Sequence, residues 1–286
     1  MTSHAGEKDE VHVRPALTYA THDGVALLGD LYVPKGAGPF PALVALHGGG
    51  WVQGVRSVYQ YWGRHLAARG YALFAISYRL AKPGQKTFPH AVQDALAAIQ
   101  FVRGNAAEFK LDPERIGLMG ASAGANIAGL AALGRARFEG GYGQDAHAVM
   151  SSRVKVLVGV YGVYDALEMW QHYASVSPRE NNIESFIGAA PMDNRQLYFD
   201  ASPISYATLA NNQIAVFLVC GTEDDLVNRQ PQTDAFQLAL KQAGFFVRPC
   251  IVPGAGHYFM NDPIDEPTSF TAFVAPRLLR FLADKL

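Results

Sequence analysis

The chain has 286 residues, 49% of them hydrophobic and 17% charged, enough apolar material for a large core at a length that α/β architectures commonly organise as one domain. Lys plus Arg number 24 against 25 for Asp plus Glu, so no broad field draws phosphate backbones or anionic lipid, and nucleic acid is excluded as an expected partner. Two cysteines, Cys220 and Cys250, are too few for a disulfide framework and lack metal-ligand spacing.

Met1 to Glu10 are polar and mixed in charge, the opposite of the basic start and apolar middle of a secretion signal. No apolar run approaches the ~18 residues that cross a bilayer. The expectation is a soluble, cytoplasmic protein with no membrane partner. Val11 to Thr18 and Ala26 to Val33 flank the turn signal His22-Asp23-Gly24, which predicts an opening antiparallel hairpin. Ala42 to Leu46, Tyr71 to Ser77, Arg115 to Met119, Val154 to Val160, Ile214 to Cys220 and Phe246 to Val252 are apolar stretches without alternation, as strands covered by helices on both faces read.

Helical patterns fall between those strands: Val58 to Arg69, Phe88 to Arg103, Ala123 to Leu133 and Pro231 to Ala243, each stopping at a glycine, with a last helix from about Ser269 to Leu286. Glycine closes helices by taking the left-handed conformation. Such alternation implies an α/β fold with a mostly parallel, doubly wound eight-stranded sheet. Cys220 and Cys250 end two strands expected side by side, so a bridge is compatible with an oxidising setting, against the simpler expectation of two buried thiols. One span breaks the rhythm. Residues 164–207 hold Trp170, Tyr173, Phe186, Tyr198, Phe199 and Tyr206 among Pro and Asn, and a connection this long and aromatic predicts a small cap or lid inserted into a single domain spanning 1–286. An elaborated surface helix with no role at the site is the plainer alternative.

Four motifs carry chemistry. Gly120-Ala121-Ser122-Ala123-Gly124 lies directly after one strand and before a helical run. A nucleophile on so tight a turn needs glycine on both sides, and Ser122 would project above the sheet. His47-Gly48-Gly49-Gly50-Trp51 follows the strand Ala42 to Leu46. Three consecutive glycines bare the backbone for close approach to an anion, which makes the amides of Gly49 and Gly50, with that of Ala123, candidate oxyanion donors. His47 is expected to pack the loop, and the lysine that a phosphate-binding loop requires is missing. Gly221-Thr222-Glu223-Asp224-Asp225 and Gly254-Ala255-Gly256-His257 follow two further strands, at the edge where open α/β sheets collect ligands. His257 is the candidate base. Asp224 is preferred to Asp225 as its carboxylate, because adjacent side chains point apart and only one can face the imidazole. Glu223 is expected in solvent, and Asp94 and Arg79 as loop-anchoring ion-pair residues.

At these residues the chain resembles the α/β-hydrolase carboxylesterases of the hormone-sensitive-lipase and acetyl-esterase type. HGGGW, GASAG, GTEDDLV and GAGH carry the likeness, with Ile76-Ser77-Tyr78-Arg79-Leu80, Phe88-Pro89 through Asp94, and Leu111-Asp112-Pro113-Glu114-Arg115-Ile116 in support. The resemblance implies a Ser122–His257–Asp224 triad, an oxyanion hole of Gly49, Gly50 and Ala123, hydrolysis of small or short-chain carboxylic esters through an acyl-enzyme, and no metal or organic cofactor. The chain departs at Tyr258, where glycine is frequent, and at Asn228, where proline is frequent; with a strand pattern beginning near Val11, no counterpart of the long N-terminal capping helices of larger relatives is expected. Trp51, Trp170, Phe186 and Tyr258 are candidates for lining a substrate pocket, with core packing as the alternative. The same machinery also suits an arylformamidase or other amidase, a peptidase or an acyltransferase. A non-catalytic ligand-binding protein is the reading of another class. Self-association through an edge strand or the last helix is compatible with the sequence.

Overall fold

The computed structural model describes residues 11–22, 24–140, 145–177 and 181–286. The polar start at 1–10, Asp23 of the expected turn and residues 178–180 of the expected cap lie outside them. The described chain forms an eight-stranded sheet in the order β1-β2-β4-β3-β5-β6-β7-β8, built from β1 (Val11–His22), β2 (Val25–Pro34), β3 (Phe40–Leu46), β4 (Ala72–Ile76), β5 (Leu111–Ala121), β6 (Val156–Val160), β7 (Ala215–Gly221) and β8 (Val247–Val252). β1 and β2 pair antiparallel, as do β2 and β4, and every other neighbouring pair is parallel. This is the α/β-hydrolase fold expected from the alternation of apolar runs and helical patterns.

The helices are α1 (Gln60–Ala67), α2 (His90–Gly104), α3 (Ala106–Phe109), α4 (Ala123–Leu133), α5 (Arg135–Phe138), α6 (Ala166–Val176), α7 (Asn182–Ile187), α8 (Arg195–Asp200), α9 (Ala235–Gln242) and α10 (Phe270–Lys285). Because helices cover both faces of the sheet, its central strands have no solvent side: β3 from Ala42 to Leu46 and all of β4 are fully buried. That removes the polar half of the usual strand pattern. Two apolar layers result. Val44, Phe74 and Leu118 pack with α2 and α4 on one face, and Leu43, Met119 and Phe217 pack with α1 and α10 on the other. Among the described residues no helix is long and apolar enough to cross a membrane.

One expectation needs correction. Gly70 and Gly244 take the left-handed φ of a helix-ending glycine, at +88° and +78°, but Gly134 has a φ of −91° and Gly104 still belongs to α2. Gly134 is instead required by space, since a Cβ there would lie 2.9 Å from the Phe138 ring. For the cysteines the simpler expectation of two buried thiols holds, and register excludes the bridge. Cys250 pairs with Val219, and Cys220 with Ile251, so the thiols lie one residue out of step and on opposite faces of the sheet. Both are free and buried.

The span 164–207 folds into α6, α7 and α8 with well-formed starts. Asp165 accepts from the amides of Leu167 and Glu168, Asn181 from that of Glu184, and Asn194 from that of Leu197, each satisfying an otherwise unpaired donor of a first turn. The segment is tied to the body. Gln232 accepts from the amides of Tyr164 and Asp165 and donates to the Asp165 carbonyl, while the Phe186 carbonyl accepts from the amides of Thr87 and Phe88.

Candidate active site

Ser122 sits between β5 and α4 with φ 53° and ψ −122°, a conformation that L-residues rarely adopt and that surrounding packing must hold in place. The flanking glycines are steric necessities. A Cβ at Gly120 would lie 2.3 Å from the Gly124 carbonyl oxygen, and one at Gly124 would lie 2.2 Å from that of Leu46. Helix α4 can be buried throughout because it is apolar all round; its one polar residue, Asn126, accepts from Trp51 Nε1 at 3.3 Å and donates to the Ala201 carbonyl at 2.9 Å.

Across the sheet edge, His257 donates from Nδ1 to Asp224 Oδ2 at 2.7 Å, and its Nε2 lies 3.0 Å from Ser122 Oγ. A carboxylate oxygen can only accept, so the proton on neutral His257 lies on Nδ1 and Nε2 is left to accept from the serine hydroxyl. The His257 and Asp224 side chains are 3% and 1% exposed, which shields their mutual attraction from water. Asp224 Oδ1 accepts from the amides of Leu226 and Val227, fixing the carboxylate plane. Asp225, next in the chain, is exposed, as is Glu223. Tyr161, which sequence reasoning missed, packs its ring 4.4 Å from that of His257; a lone tyrosine at the end of a strand offers no signal of this contact.

The HGGG loop lies against the serine turn. Gly49 has φ +122° and Gly50 φ +58°, and a Cβ on Gly49 would lie 2.1 Å from the Gln53 carbonyl oxygen. Among the described residues, no acceptor is paired with the amides of Gly49, Gly50 or Ala123, three bare donors on the two segments that meet at Ser122. His47 is 1% exposed. It donates from Nδ1 to the Gly48 carbonyl at 2.8 Å, and burial lowers its pKa, outweighing the upward effect of that bond, as suits a residue that packs the loop.

The four candidate lining residues divide. Trp51 and Phe186, 1% and 0% exposed, stack on each other at 5.2 Å and present no face to a cleft; their role is to clamp α7 onto the glycine loop. Trp170 is half-buried and donates from Nε1 to Glu184 Oε2 at 2.9 Å. Tyr258 is 54% exposed, with its ring edge-on to His257 at 4.6 Å and a φ of +69°. That backbone conformation costs glycine nothing, a physical reason for glycine to be frequent there in similar chains. Asn182 of α7 was not foreseen. Its Nδ2 would lie 2.8 Å from a Cβ on Gly50, which puts the 164–207 segment directly against the glycine loop. Among the described residues no group of three or more His, Cys, Asp or Glu side chains is placed to hold a metal ion.

Comparison with known proteins follows the same lines. The model of the BD-FAE family matches residues 29–240, a span that contains the HGGG loop, the serine turn and Asp224 and ends before His257. A probable isoprenylcysteine alpha-carbonyl methylesterase (ICMEL1) of Oryza sativa subsp. japonica is 31% identical over 244 residues, 82% of this chain and 55% of the rice protein. Esterase LipQ of Mycobacterium tuberculosis is 32% identical over 223 residues, 77% of this chain and 50% of that protein. The chain therefore spans about half the length of the curated relatives it matches. The solved propionate-bound esterase Est2 of Thermogutta terrifontis superposes with a TM-score of 0.74 at 23% identity, covering 96% of this chain and 94% of the other, and so shares its fold.

Proposed function

The chain belongs to the BD-FAE family, and from that membership we propose that it is a serine carboxylesterase acting on small or short-chain carboxylic esters. Ser122 Oγ attacks the ester carbonyl carbon while His257 Nε2 takes the hydroxyl proton, and Asp224 holds the imidazole and stabilises its charged form. The carbonyl π pair moves onto oxygen, and the amides of Gly49, Gly50 and Ala123 stabilise that oxyanion. As the tetrahedral species collapses, the bond to the alkoxide breaks, His257 returns its proton to the leaving alcohol, and an acyl-Ser122 remains. Water, deprotonated by the same imidazole, repeats the sequence and releases the acid.

One observation carries this reading: the unbroken line from Ser122 Oγ through both nitrogens of His257 to Asp224 Oδ2, at 3.0 and 2.7 Å, beside three unpaired amides. Relatives that include a methylesterase and an esterase favour an ester over an amide. In this proposal α6, α7 and α8 form a cap over the cleft, a role supported by the contact between Asn182 and Gly50. A cytoplasmic location and self-association through an edge strand or the last helix belong to the same proposal; fractionation and light scattering test them. The deciding experiment for the chemistry is a panel of nitrophenyl esters of rising chain length run beside aryl amides and N-formyl compounds. Ester turnover that declines with chain length supports the reading, whereas turnover confined to amides or formamides moves the activity to another class.

A further inference from the structure

The glycine loop is gripped from two sides. On one side it touches the serine turn: a Cβ on Gly48 would lie 3.2 Å from that of Ser122, and one on Gly124 would lie 2.4 Å from the His47 carbonyl oxygen. On the other side stands Tyr78, 4% exposed. Its hydroxyl donates to the same His47 carbonyl at 2.8 Å, and its ring stacks on that of His47 at 4.4 Å and 18°. A shift of Tyr78 must therefore move the peptide that begins the HGGG run, and with it the direction of the amides that follow.

Arg79, the residue that follows Tyr78, is held by a charge cluster. Asp94 on α2 has a side chain with 0% exposure, and it holds Arg79 by both backbone and side chain, with Nε shared between its two oxygens at 3.1 and 3.0 Å. Oδ2 accepts from the Arg79 backbone amide at 2.9 Å, and Oδ1 accepts from its Nη2 at 2.6 Å. His22 of β1 completes the cluster, with Nδ1 3.0 Å from Asp94 Oδ1 and Nε2 2.9 Å from Asp145 Oδ2. A carboxylate beside each ring nitrogen favours the imidazolium, the form that donates from both, and raises the pKa of His22 against the opposing effect of burial. Such a buried ion cluster adds little net stability over an apolar core of the same shape, because desolvation offsets the attraction; what it supplies is a fixed geometry. That geometry is delivered to the residue adjoining Tyr78.

We infer that Asp94 is a positioning residue for the oxyanion site, holding Arg79 so that Tyr78 locks the His47 carbonyl and aims the amides of Gly49 and Gly50. The inference rests on the esterase reading of the cleft, and it assigns to Arg79 and Asp94 a task beyond anchoring a loop. Neither residue touches substrate. Loss of the lock should weaken the stabilisation of a developing oxyanion while leaving substrate binding and the titration of His257 alone.

The test compares Asp94→Asn, Tyr78→Phe and the double variant with the parent protein. The readouts are kcat and KM on nitrophenyl acetate, the pH at which activity is half lost on the acid side, and affinity for an aryl trifluoromethyl ketone, to whose carbonyl carbon Ser122 adds to give an oxyanion hemiketal. Each single variant is expected to lower kcat and ketone affinity by a common factor, about 10-fold or more and below the ~1,000-fold limit for losing one donor outright. KM and the acid limb should stay in place. The double variant should be little worse than the worse single, since both changes release one loop. Tyr78→Phe with parental kcat and ketone affinity overturns the inference, as does an Asp94→Asn that melts lower but turns over normally. Should Asp94→Asn not fold, Tyr78→Phe decides alone. Failure of the esterase reading looks different: the parent protein itself would bind no ketone and release no nitrophenol.

Discussion

Asp224 and Asp225 are neighbours in the chain and opposites in space: Oδ2 of Asp224 accepts from His257 Nδ1 at 2.7 Å, while Asp225 is exposed to solvent. The loop after β7 turns at this point, with Asp224 Oδ1 held by the amides of Leu226 and Val227. Asp224→Asn should lower kcat by about 10,000-fold through a mis-set imidazole tautomer. Asp225→Asn should stay within about threefold of the parent, the scale of a surface change of less than ~0.7 kcal/mol. Steady-state kinetics on nitrophenyl acetate separate the two, and a reversed order would reassign the acid.

Gly49 cannot carry a side chain. Its φ of +122° disfavours any other residue, and the added carbon would overlap the Gln53 carbonyl oxygen. Gly49→Ala should therefore displace the loop and lower kcat by about 100- to 1,000-fold, the loss typical of one oxyanion donor. Thermal melting together with kinetics checks this; full activity in a folded variant would remove Gly49 from the anion site.

The His22 cluster gives the stability a pH signature. Burial alone would lower the pKa of this imidazole, but hydrogen bonds and charge from Asp94 and Asp145 outweigh it and raise the value. A raised folded value means that the stabilisation is complete below the ordinary imidazole value of about 6.5 and is lost as pH rises through the elevated one. Denaturant unfolding from pH 6 upward should show this decline in the parent and not in His22→Phe. Parallel curves would show that His22 is already neutral.

Oxidation should leave Cys220 and Cys250 unpaired, because opposite faces of the sheet keep the sulfurs apart. Thiol counting in denaturant after exposure to oxidised glutathione should return both free thiols. A bridge within one chain would mean that the β7–β8 register is wrong.

The sheet was legible because each central strand, buried on both faces, leaves an uninterrupted apolar run between glycine-marked helix ends. Ser122, Asp224 and His257 could be singled out because a strained turn and a bare backbone demand glycines nearby, and glycines are visible in a sequence. Side-chain direction was not legible. Trp51 and Phe186 have the composition of a pocket lining, yet they stack on each other in the core, since nothing local tells an aromatic residue which way its neighbours will turn. The parity of the Cys220 and Cys250 register, the approach of Asn182 to Gly50, and the His22–Asp94–Arg79 cluster all depend on segments distant in the chain. Arg79 and Asp94 could each be named as a loop-anchoring charge, but neither their pairing nor the hydroxyl of Tyr78 on the His47 carbonyl left a mark in the pattern.

The most direct test of the account is where a fluorophosphonate attaches. Peptide mass mapping should find a single adduct on Ser122, ester turnover should fall in proportion to labelling, and Ser122→Ala should neither label nor hydrolyse while melting as the parent does. An adduct on another residue, or burst kinetics persisting in Ser122→Ala, would contradict it.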